Sequence, residues 1–376
     1  MARELPSSFR KLPAAERRAL LAEWFAPELS APDSDLDRAD VLVENAFGWH
    51  RLPLGLVPNF PVNGRLYHVP LATEEPSVIA AAAFAGRILA RGGGLEAEAD
   101  PNVIRGQLFL EGADPERWPE AEPQLAAAAA EALQSMERRG GGYRGLGMER
   151  LPETQVTALT ILADVCDAQG ANALNTVLER LAPLAESLLG GRRLMAILSN
   201  NSPERLARAR FRVGMEHLAR AGLSGPEMAR RLELASRVAH ESVDRAVTHN
   251  KGILNGISAL ALATGNDTRA LEAAVHAWAS RSGRYLPLSR YRVVAGALEG
   301  EVELPLPLAT VGGGTRTLPS TAAVWSLLGV ENARELRAVA AALGLAQNFA
   351  ALAALCAEGI QQGHMRLHQR RLGPEG

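Results

Sequence analysis

The sequence has few cysteines and no long hydrophobic run. Its 376 residues contain only Cys166 and Cys356, too few for a disulfide framework or a cysteine-rich zinc site. Its most apolar stretch, residues 78–85, is far shorter than the ~20 residues that span a bilayer. The N-terminal residues mix charges with prolines and contain no hydrophobic signal core. These absences predict a reduced, cytoplasmic protein without a membrane segment.

The chain also lacks a large net charge of either sign. Forty basic and 42 acidic residues give a net charge of −2, which provides no electrostatic attraction to nucleic acid or anionic lipid. Hydrophobic residues make up 47% and charged residues 22%, the balance of a globular protein. A chain of this length predicts two or three domains.

Lysine is the scarcest charged residue. Of the 40 basic residues 38 are arginine, which reflects genome composition, and the two lysines are Lys11 and Lys251. Lysine is a compact ammonium whose pKa burial can move, whereas arginine is a broad fork that stays charged. Lys11 lies among other charges and is interpreted as solvated. Lys251 lies among small and polar residues in THNKGILNGI, and we expect a buried, functional ammonium there rather than an ordinary salt bridge.

Hydrophobic periodicity predicts an α+β protein in which one domain interrupts another. Between residues 102 and 200 the pattern is βαββαβ, typical of a ferredoxin-like domain. The predicted elements of this domain are 103–110, 122–139, 143–148, 155–165, 172–189 and 193–198. The flanking residues, 1–101 and 201–360, read as a large helix-rich domain with a hairpin turn at Asn63-Gly64, a helix over 78–89 and one β-like patch over 291–311.

A strand-to-helix junction in the small domain could bind phosphate. In DVCDAQGANALN a strand is predicted to end at Asp167, and a helix to begin near Ala171. The unpaired N–H groups and positive dipole of a helix N-terminus attract anions. Alternatively, Asp167 only starts the helix and Gly170 only turns the chain. The glycine triplets at 92–94, 140–142 and 312–314 match no dinucleotide or phosphate-loop motif and are interpreted as turns.

Three further titratable residues could transfer protons. Glu75 precedes the predicted helix at 78–89; a buried carboxyl there would have a raised pKa and could donate a proton. Asp267 precedes another predicted helix. His364 and His368 lie one helical turn apart, but without a third ligand they predict no metal site, which leaves His364 as a proton donor.

Taken in order, these segments resemble hydroxymethylglutaryl-coenzyme A (HMG-CoA) reductase of the soluble bacterial class II type. The resemblance runs from about residue 9 to residue 364 and is carried by LVENAFG, NFPVNGR, EEPSVIAAAA, DAQGAN, ILSNN, RAVTHNKGILNGI, ATGNDTRA, GLAQN and EGIQQGHM. Each motif alone is weak, whereas the ordered set is specific. The resemblance implies interconversion of HMG-CoA with mevalonate and CoA by two hydride transfers from NADH or NADPH, through a hemithioacetal and an aldehyde.

The resemblance also implies the site. Its catalytic residues fall on Glu75, Lys251, Asp267 and His364. Lys251 would stabilise the oxyanion, Glu75 would donate the alcohol proton, Asp267 would hydrogen-bond both, and His364 would protonate the CoA thiolate. The implied substrate contacts are Ser77, Asn200, Arg245, Asn255, Gln347 and, at a CoA phosphate, Arg10; Arg245 suits the substrate carboxylate. The implied dinucleotide contacts are Asp167, Gly170 and Asn172, and no metal is implied.

Partners and boundaries follow from the same resemblance. It implies a homodimer or an oligomer of dimers, with each active site between the large domain of one subunit and the small domain of the other. Residues 361–376 are expected to begin a C-terminal flap that is cut short, since family members continue further past the histidine of GHM. The stretch 133–135 lacks the acid expected for NADH, and Arg138 and Arg139 follow, so both cofactors stay open. The alternatives are a weakly active or non-catalytic CoA-ester-binding relative and a Schiff-base lysine enzyme.

Overall fold

The computed structural model describes residues 33–318 and 320–357, together with positions 12, 13, 15, 16, 19 and 359. Arg10 and His364, both predicted as site residues, lie outside the described residues, as does most of the helix-like pattern at 14–25. The chain divides into two compact units, residues 1–53 and 54–376. In the first unit, helix α1 spans Asp33–Leu42.

The described part of the second unit contains ten strands and nine α-helices, besides four short 3-10 helices. In chain order they are β1 (Leu54–Val62), β2 (Arg65–Ala72), α2 (Val78–Leu89), β3 (Leu95–Ala99), β4 (Val103–Glu111), α3 (Trp118–Ala132), α4 (Gln134–Glu137), β5 (Gly142–Arg150), β6 (Thr157–Asp164), α5 (Ala171–Leu189), β7 (Arg192–Ser199), β8 (Leu206–Gly214), α6 (Gly225–Glu241), α7 (Val243–Ala263), α8 (Thr268–Ala279), β9 (Ser289–Val294), β10 (Ala297–Pro305), α9 (Thr321–Leu328) and α10 (Ala333–Cys356).

A six-stranded sheet in the order β2-β1-β3-β8-β10-β9 forms one wall of the larger core. The predicted hairpin at Asn63-Gly64 and helix at 78–89 are confirmed. The expectation of a single β-like patch after residue 201 is wrong, because β8 was missed and the patch is the β9–β10 hairpin. In β8, arginines alternate with buried residues such as Ala207 and Phe211, and they pair with glutamates of β3 and β10.

A four-stranded antiparallel sheet in the order β5-β6-β4-β7 occupies residues 103–199. Helices α3 and α5 cover one face and bury a separate hydrophobic cluster that includes Leu108, Ile161 and Leu178. The predicted order of strands and helices is observed. The helix expected over 122–139 is divided into α3 and α4. The strand expected to end at Asp167 ends at Asp164, because Cys166 adopts a left-handed backbone conformation, with φ of 52°.

Helix α10 is the central helix of the larger core. Nearly every side chain from Ala333 to Ala350 is buried, and its many alanines allow neighbouring helices to approach closely. In the part of the chain that the structure describes, it is the one helix long and apolar enough to cross a membrane, with a mean hydropathy of 1.8. Because 78% of that apolar window is buried inside the protein, we interpret it as a core helix.

Two buried arginines hold the segments that connect the two sheets. Arg337 of α10 is 1% exposed and donates from Nη2 to the Asp100 carbonyl at 2.5 Å. Arg205 donates from Nε to the Val103 carbonyl at 3.1 Å. Burial lowers the pKa of Arg205 to about 9 and that of Arg337 to about 10. The guanidinium groups therefore hold both segments of the chain that pass between the two sheets.

Candidate active site

Helix α7 carries three of the predicted site residues. The hydroxyl of Ser242 accepts the Arg245 N–H at 3.3 Å and caps its N-terminus. Lys251 and Asn255 are one turn apart and therefore share a face of the helix. Lys251 is exposed in the single chain, so the expectation of a buried lysine is wrong. The buried positions of α7, such as Ile253, lie on its other faces, which pack into the core.

Arg245 lies at a cleft of about 590 Å³ formed by α6, α7 and the end of α10. The cleft is lined by Arg230, Arg231, Leu234, Ala235, Val238, Arg245, Leu352, Leu355 and Cys356. Hydrogen bonds from Arg230 and Arg231 hold the pKa of Glu227 at about 2, so these two arginines already have a carboxylate partner. Within the described residues Arg245 has none. Its guanidinium is therefore the group in this cleft that can bind a substrate carboxylate.

A buried polar network fixes the turn of α7 that precedes Lys251. His249 Nε2 lies 2.6 Å from the Ser289 hydroxyl, which donates to Asn348 Oδ1 at 2.9 Å. The Tyr291 hydroxyl donates to the same oxygen at 2.8 Å, and Asn348 Nδ2 donates back to the His249 carbonyl at 3.1 Å. Since the Ser289 proton is used, His249 must donate from Nε2. This network was not predicted from the sequence, in which its only signal is polar residues on the buried face of a helix.

We predict that His249 makes folding sensitive to acid. Burial, with the positive charge of Arg245 next, lowers the pKa of His249 to about 3. The unfolded chain binds a proton at its histidine below about pH 6.5, and the folded chain does not. The stability that depends on neutral His249 is therefore complete above pH 6.5 and is lost as pH falls towards 3, by about 1.4 kcal/mol per pH unit.

The measurement is urea denaturation of the wild type and of His249→Gln at pH 7 and pH 5. We expect the difference in unfolding free energy between the two pH values to be about 2 kcal/mol smaller in the variant. His276→Gln, at an exposed position of α8, controls for loss of an imidazole. An unchanged difference in His249→Gln would show that His249 does not cause the sensitivity.

Asp267 is the N-cap of α8. Its Oδ1 accepts the N–H groups of Arg269 at 2.9 Å and Ala270 at 3.2 Å, and Arg269 Nε lies 3.3 Å away. Burial alone would raise the pKa of Asp267, but the hydrogen bonds from Ala270 and Arg269 outweigh it and lower that pKa. Among the described residues, neither Glu75 nor Lys251 hydrogen-bonds Asp267, so the predicted contact between the three is not made within one chain.

The remaining substrate residues lie at separate places. Glu75 and Ser77 are half-buried before α2, where Glu75 donates its N–H to Thr73 Oγ1 and Ser77 has φ of 78° and no capping hydrogen bond. Asn200 is exposed directly after β7. Gln347 is buried on α10, and its Oε1 has no partner among the described residues. The Gln347 amide faces Gly256 of α7, next to Asn255.

The turn before α5 has the features of an anion site. Gly170 has φ of 78°, and a Cβ there would lie 2.5 Å from Val165 Cγ1, so only glycine fits. No side chain caps α5, and the N–H groups of its first turn are therefore available to the phosphates of a dinucleotide. Asn172 is exposed in this turn. Asp167 does not cap α5, whose N-cap is Gly170. Its Oδ1 accepts the Ala333 N–H at the start of α10 at 2.7 Å.

Arg245 and the predicted cofactor turn before α5 lie at opposite ends of α7. Helices α7 and α10 are antiparallel, since Arg245 lies near Cys356 whereas Gly256 lies near Leu343. About 18 Å of helix separate Lys251 from the end of α7, and about 27 Å separate Arg245 from it, at 1.5 Å per residue. A single chain therefore keeps Arg245 far from the Asp267 end, where the turn before α5 also lies.

The chain matches a family model described as hydroxymethylglutaryl-coenzyme A reductase over residues 13–369. It is 40% identical to the 3-hydroxy-3-methylglutaryl-coenzyme A reductase of Archaeoglobus fulgidus, over 97% of the chain and 85% of the relative. It is 36% identical to the probable enzyme of Borreliella burgdorferi, over 98% and 86%. Its fold is similar to that of the Streptococcus pneumoniae class II enzyme bound to NADPH, with a TM-score of 0.81, 41% identity and coverage of 93% of this chain and 99% of that one.

Proposed function

The chain belongs to the hydroxymethylglutaryl-coenzyme A reductase family, whose members convert HMG-CoA to mevalonate and CoA, and we propose that Glu75, Lys251, Asp267 and His364 carry out this reaction. The observation that carries the proposal is that α7 bears two available cations. Arg245 has no carboxylate partner among the described residues, and Lys251 is exposed. An acyl-CoA whose other end is a carboxylate needs both charges. We also propose that the protein is cytoplasmic.

Each side chain has a distinct role. Arg245 binds the substrate carboxylate, which fixes the thioester carbonyl relative to Lys251. Lys251 stabilises the negative charge that develops on the carbonyl oxygen in each reduction. Glu75 donates the proton that completes the alcohol, and Asp267 keeps Lys251 charged and oriented. His364 protonates the leaving thiolate. Ser77, Asn200, Asn255 and Gln347 hydrogen-bond the remaining substrate oxygens, and Arg10 binds a CoA phosphate.

We propose NADPH as the cofactor, held by residues 102–200 as a ferredoxin-like domain. Two NADPH molecules, bound one after the other, would each supply one hydride. The uncapped first turn of α5 binds the dinucleotide phosphates through backbone N–H groups, with Asp167, Gly170 and Asn172 around them. The Cys166 thiol donates to the Arg139 carbonyl at 3.4 Å, which brings the exposed Arg138 and Arg139 close to this turn, where they can attract a third phosphate.

Parallel assays with NADPH and NADH test the reaction and the cofactor. We expect HMG-CoA-dependent loss of nicotinamide absorbance with a higher kcat/KM for NADPH. A preference for NADH would contradict the cofactor proposal alone. No oxidation of either cofactor, while HMG-CoA still raises the Tm, would favour a non-catalytic CoA-ester-binding protein. Trapping of substrate on Lys251 by borohydride would favour a Schiff-base enzyme.

Asn172→Ala is predicted to weaken cofactor binding without unfolding the domain. Its exposed side chain makes no hydrogen bond among the described residues, so its removal has no structural cost. We expect the KM for NADPH to rise about tenfold, the effect of losing one hydrogen bond of about 1.4 kcal/mol. Thr176→Ala, one turn further along α5 and also exposed, is the matched control. Equal KM values in the two variants would remove Asn172 from the cofactor site.

We further propose that the active site forms between two copies of the chain. The separation of Arg245 and Lys251 from Asp267 along α7 supports this, because one chain alone does not bring them together. The edge strand β7 also exposes Leu194, Met195 and Ile197, an apolar surface suited to a partner. A two-fold homodimer would supply Asp267 and the cofactor of one subunit to Arg245 and Lys251 of the other.

A further inference from the structure

Residues Ala309–Gly314, which we name the strap, follow β10 and run between two loops of the site. On one side lies the turn 165–170 before α5. On the other side lies the loop 264–267, which joins α7 to α8 and ends at Asp267. The strap contains the whole glycine triplet 312–314, which was interpreted from the sequence as an ordinary turn.

Backbone hydrogen bonds join the strap to the turn before α5. The Asp167 carbonyl accepts the N–H groups of Thr310 and Val311, both at 3.0 Å. The Gln169 N–H donates to the Val311 carbonyl at 3.2 Å. The Gln169 amide lies against Gly313, because a Cβ at Gly313 would be only 2.3 Å from Gln169 Oε1. The turn and the strap therefore form one hydrogen-bonded unit.

Asn266 joins the strap to the loop that carries Asp267. Asn266 is 6% exposed; its Nδ2 donates to the Ala309 carbonyl at 3.1 Å, and its Oδ1 accepts the Ala309 N–H at 2.8 Å. Nδ2 also donates to Thr264 Oγ1 at 2.9 Å. The backbones touch beside this pair, since a Cβ at Gly265 would lie 2.3 Å from the Gly314 carbonyl oxygen. Every polar atom of the Asn266 side chain is thus used to hold the loop on the strap.

We propose that Asn266 is a positioning residue, which sets Asp267 at a fixed distance from the N-terminus of α5 through the strap. The inference rests on the proposed function, in which Asp267 and the cofactor site act together. Asp267 is held by the N–H groups of its own helix, so its place relative to α5 depends on where the loop is attached. A displacement of about 1 Å in a reacting group can cost about 100-fold in rate.

Asn266→Ala tests the proposal through the separation of kcat from KM. We expect kcat to fall 10- to 100-fold, with KM values for NADPH and HMG-CoA changed less than about threefold, since neither ligand is bound by Asn266. Asn63→Ala is the matched control. Asn63, in the turn between β1 and β2, makes the same reciprocal pair with the backbone of Ala97 in β3, at 2.8 Å for both bonds. Asn63→Ala is expected to leave kcat unchanged.

A double variant distinguishes positioning from loss of structure. If Asn266 acts through Asp267, Asn266→Ala combined with Asp267→Asn has the kcat of Asp267→Asn alone. If Asn266 only supports the fold, the two losses multiply, and this result overturns the proposal. Asn266→Asp, which keeps the acceptor for the Ala309 N–H, replaces the alanine variant if that does not fold.

The proposed function and this inference fail in different ways. A wild-type chain that does not oxidise NADPH in the presence of HMG-CoA contradicts the proposed function itself. An active wild type whose Asn266→Ala variant keeps full kcat contradicts only the positioning role.

Discussion

Lys251→Ala is expected to lower kcat for HMG-CoA reduction by a factor of about 100 to 1000, the usual cost of removing one group that stabilises an oxyanion. Lys251 is the one lysine among the described residues, and it is exposed on α7. Its removal therefore leaves the core packing unchanged, and we expect the Tm to stay the same. The measurement is steady-state turnover beside a thermal melt of the same sample.

Two further variants on α7 test whether the loss is specific to Lys251 and whether a positive charge alone is sufficient. Thr248→Ala, at an exposed position on the same face, should retain full activity. Lys251→Arg keeps the charge but replaces a compact ammonium with a planar fork, so we expect little recovery. Substantial turnover in Lys251→Ala would remove the lysine from the mechanism.

Asp267→Asn is expected to lower kcat at least 100-fold, because an asparagine amide lacks the negative charge that is proposed to orient Lys251 for stabilising the oxyanion. Asparagine is as good an N-cap as aspartate, so α8 should keep its first turn and the Tm should change little. Asp267→Ala, by comparison, should lose about the same activity and also about 1 kcal/mol of stability, because it removes the cap. The measurement is turnover of both variants, with urea denaturation for stability.

Mixing inactive variants tests whether Asp267 and Lys251 act across a subunit interface. If they come from different chains, a mixed dimer of Lys251→Ala and Asp267→Asn contains one intact site and one doubly altered site. Random exchange of equal amounts should then restore about a quarter of wild-type activity, whereas each variant alone stays inactive. No recovery from a mixture shown to contain mixed dimers would contradict the shared site.

Local patterns were enough to predict the elements whose sequence periodicity is strong. Helix α2 was predicted to its observed ends, since small apolar residues run from Val78 to the leucine before a glycine-rich turn. Strand β8 was missed although its arginines alternate with apolar residues, the pattern of a half-buried strand. The sequence does not show that these arginines pair with glutamates of β3 and β10, which are distant along the chain. Pairing across a sheet is a property of the fold.

The sequence singled out candidate site residues but not how the fold places them. The rarity of lysine pointed to Lys251, but its exposure depends on which face of α7 the core covers. Asp167 was expected to contact a cofactor, and the structure adds that one of its oxygens accepts the first N–H of α10, 166 positions away in sequence. No local pattern contains that contact.

The stoichiometry of the reaction tests the central claim most directly. The purified chain is given limiting HMG-CoA and excess NADPH, and oxidised nicotinamide and free CoA thiol are measured in the same sample. Because a thioester must accept two hydrides to become an alcohol, the account predicts two molecules of NADPH oxidised for each CoA released. A ratio of one, or CoA release without NADPH oxidation, would contradict it.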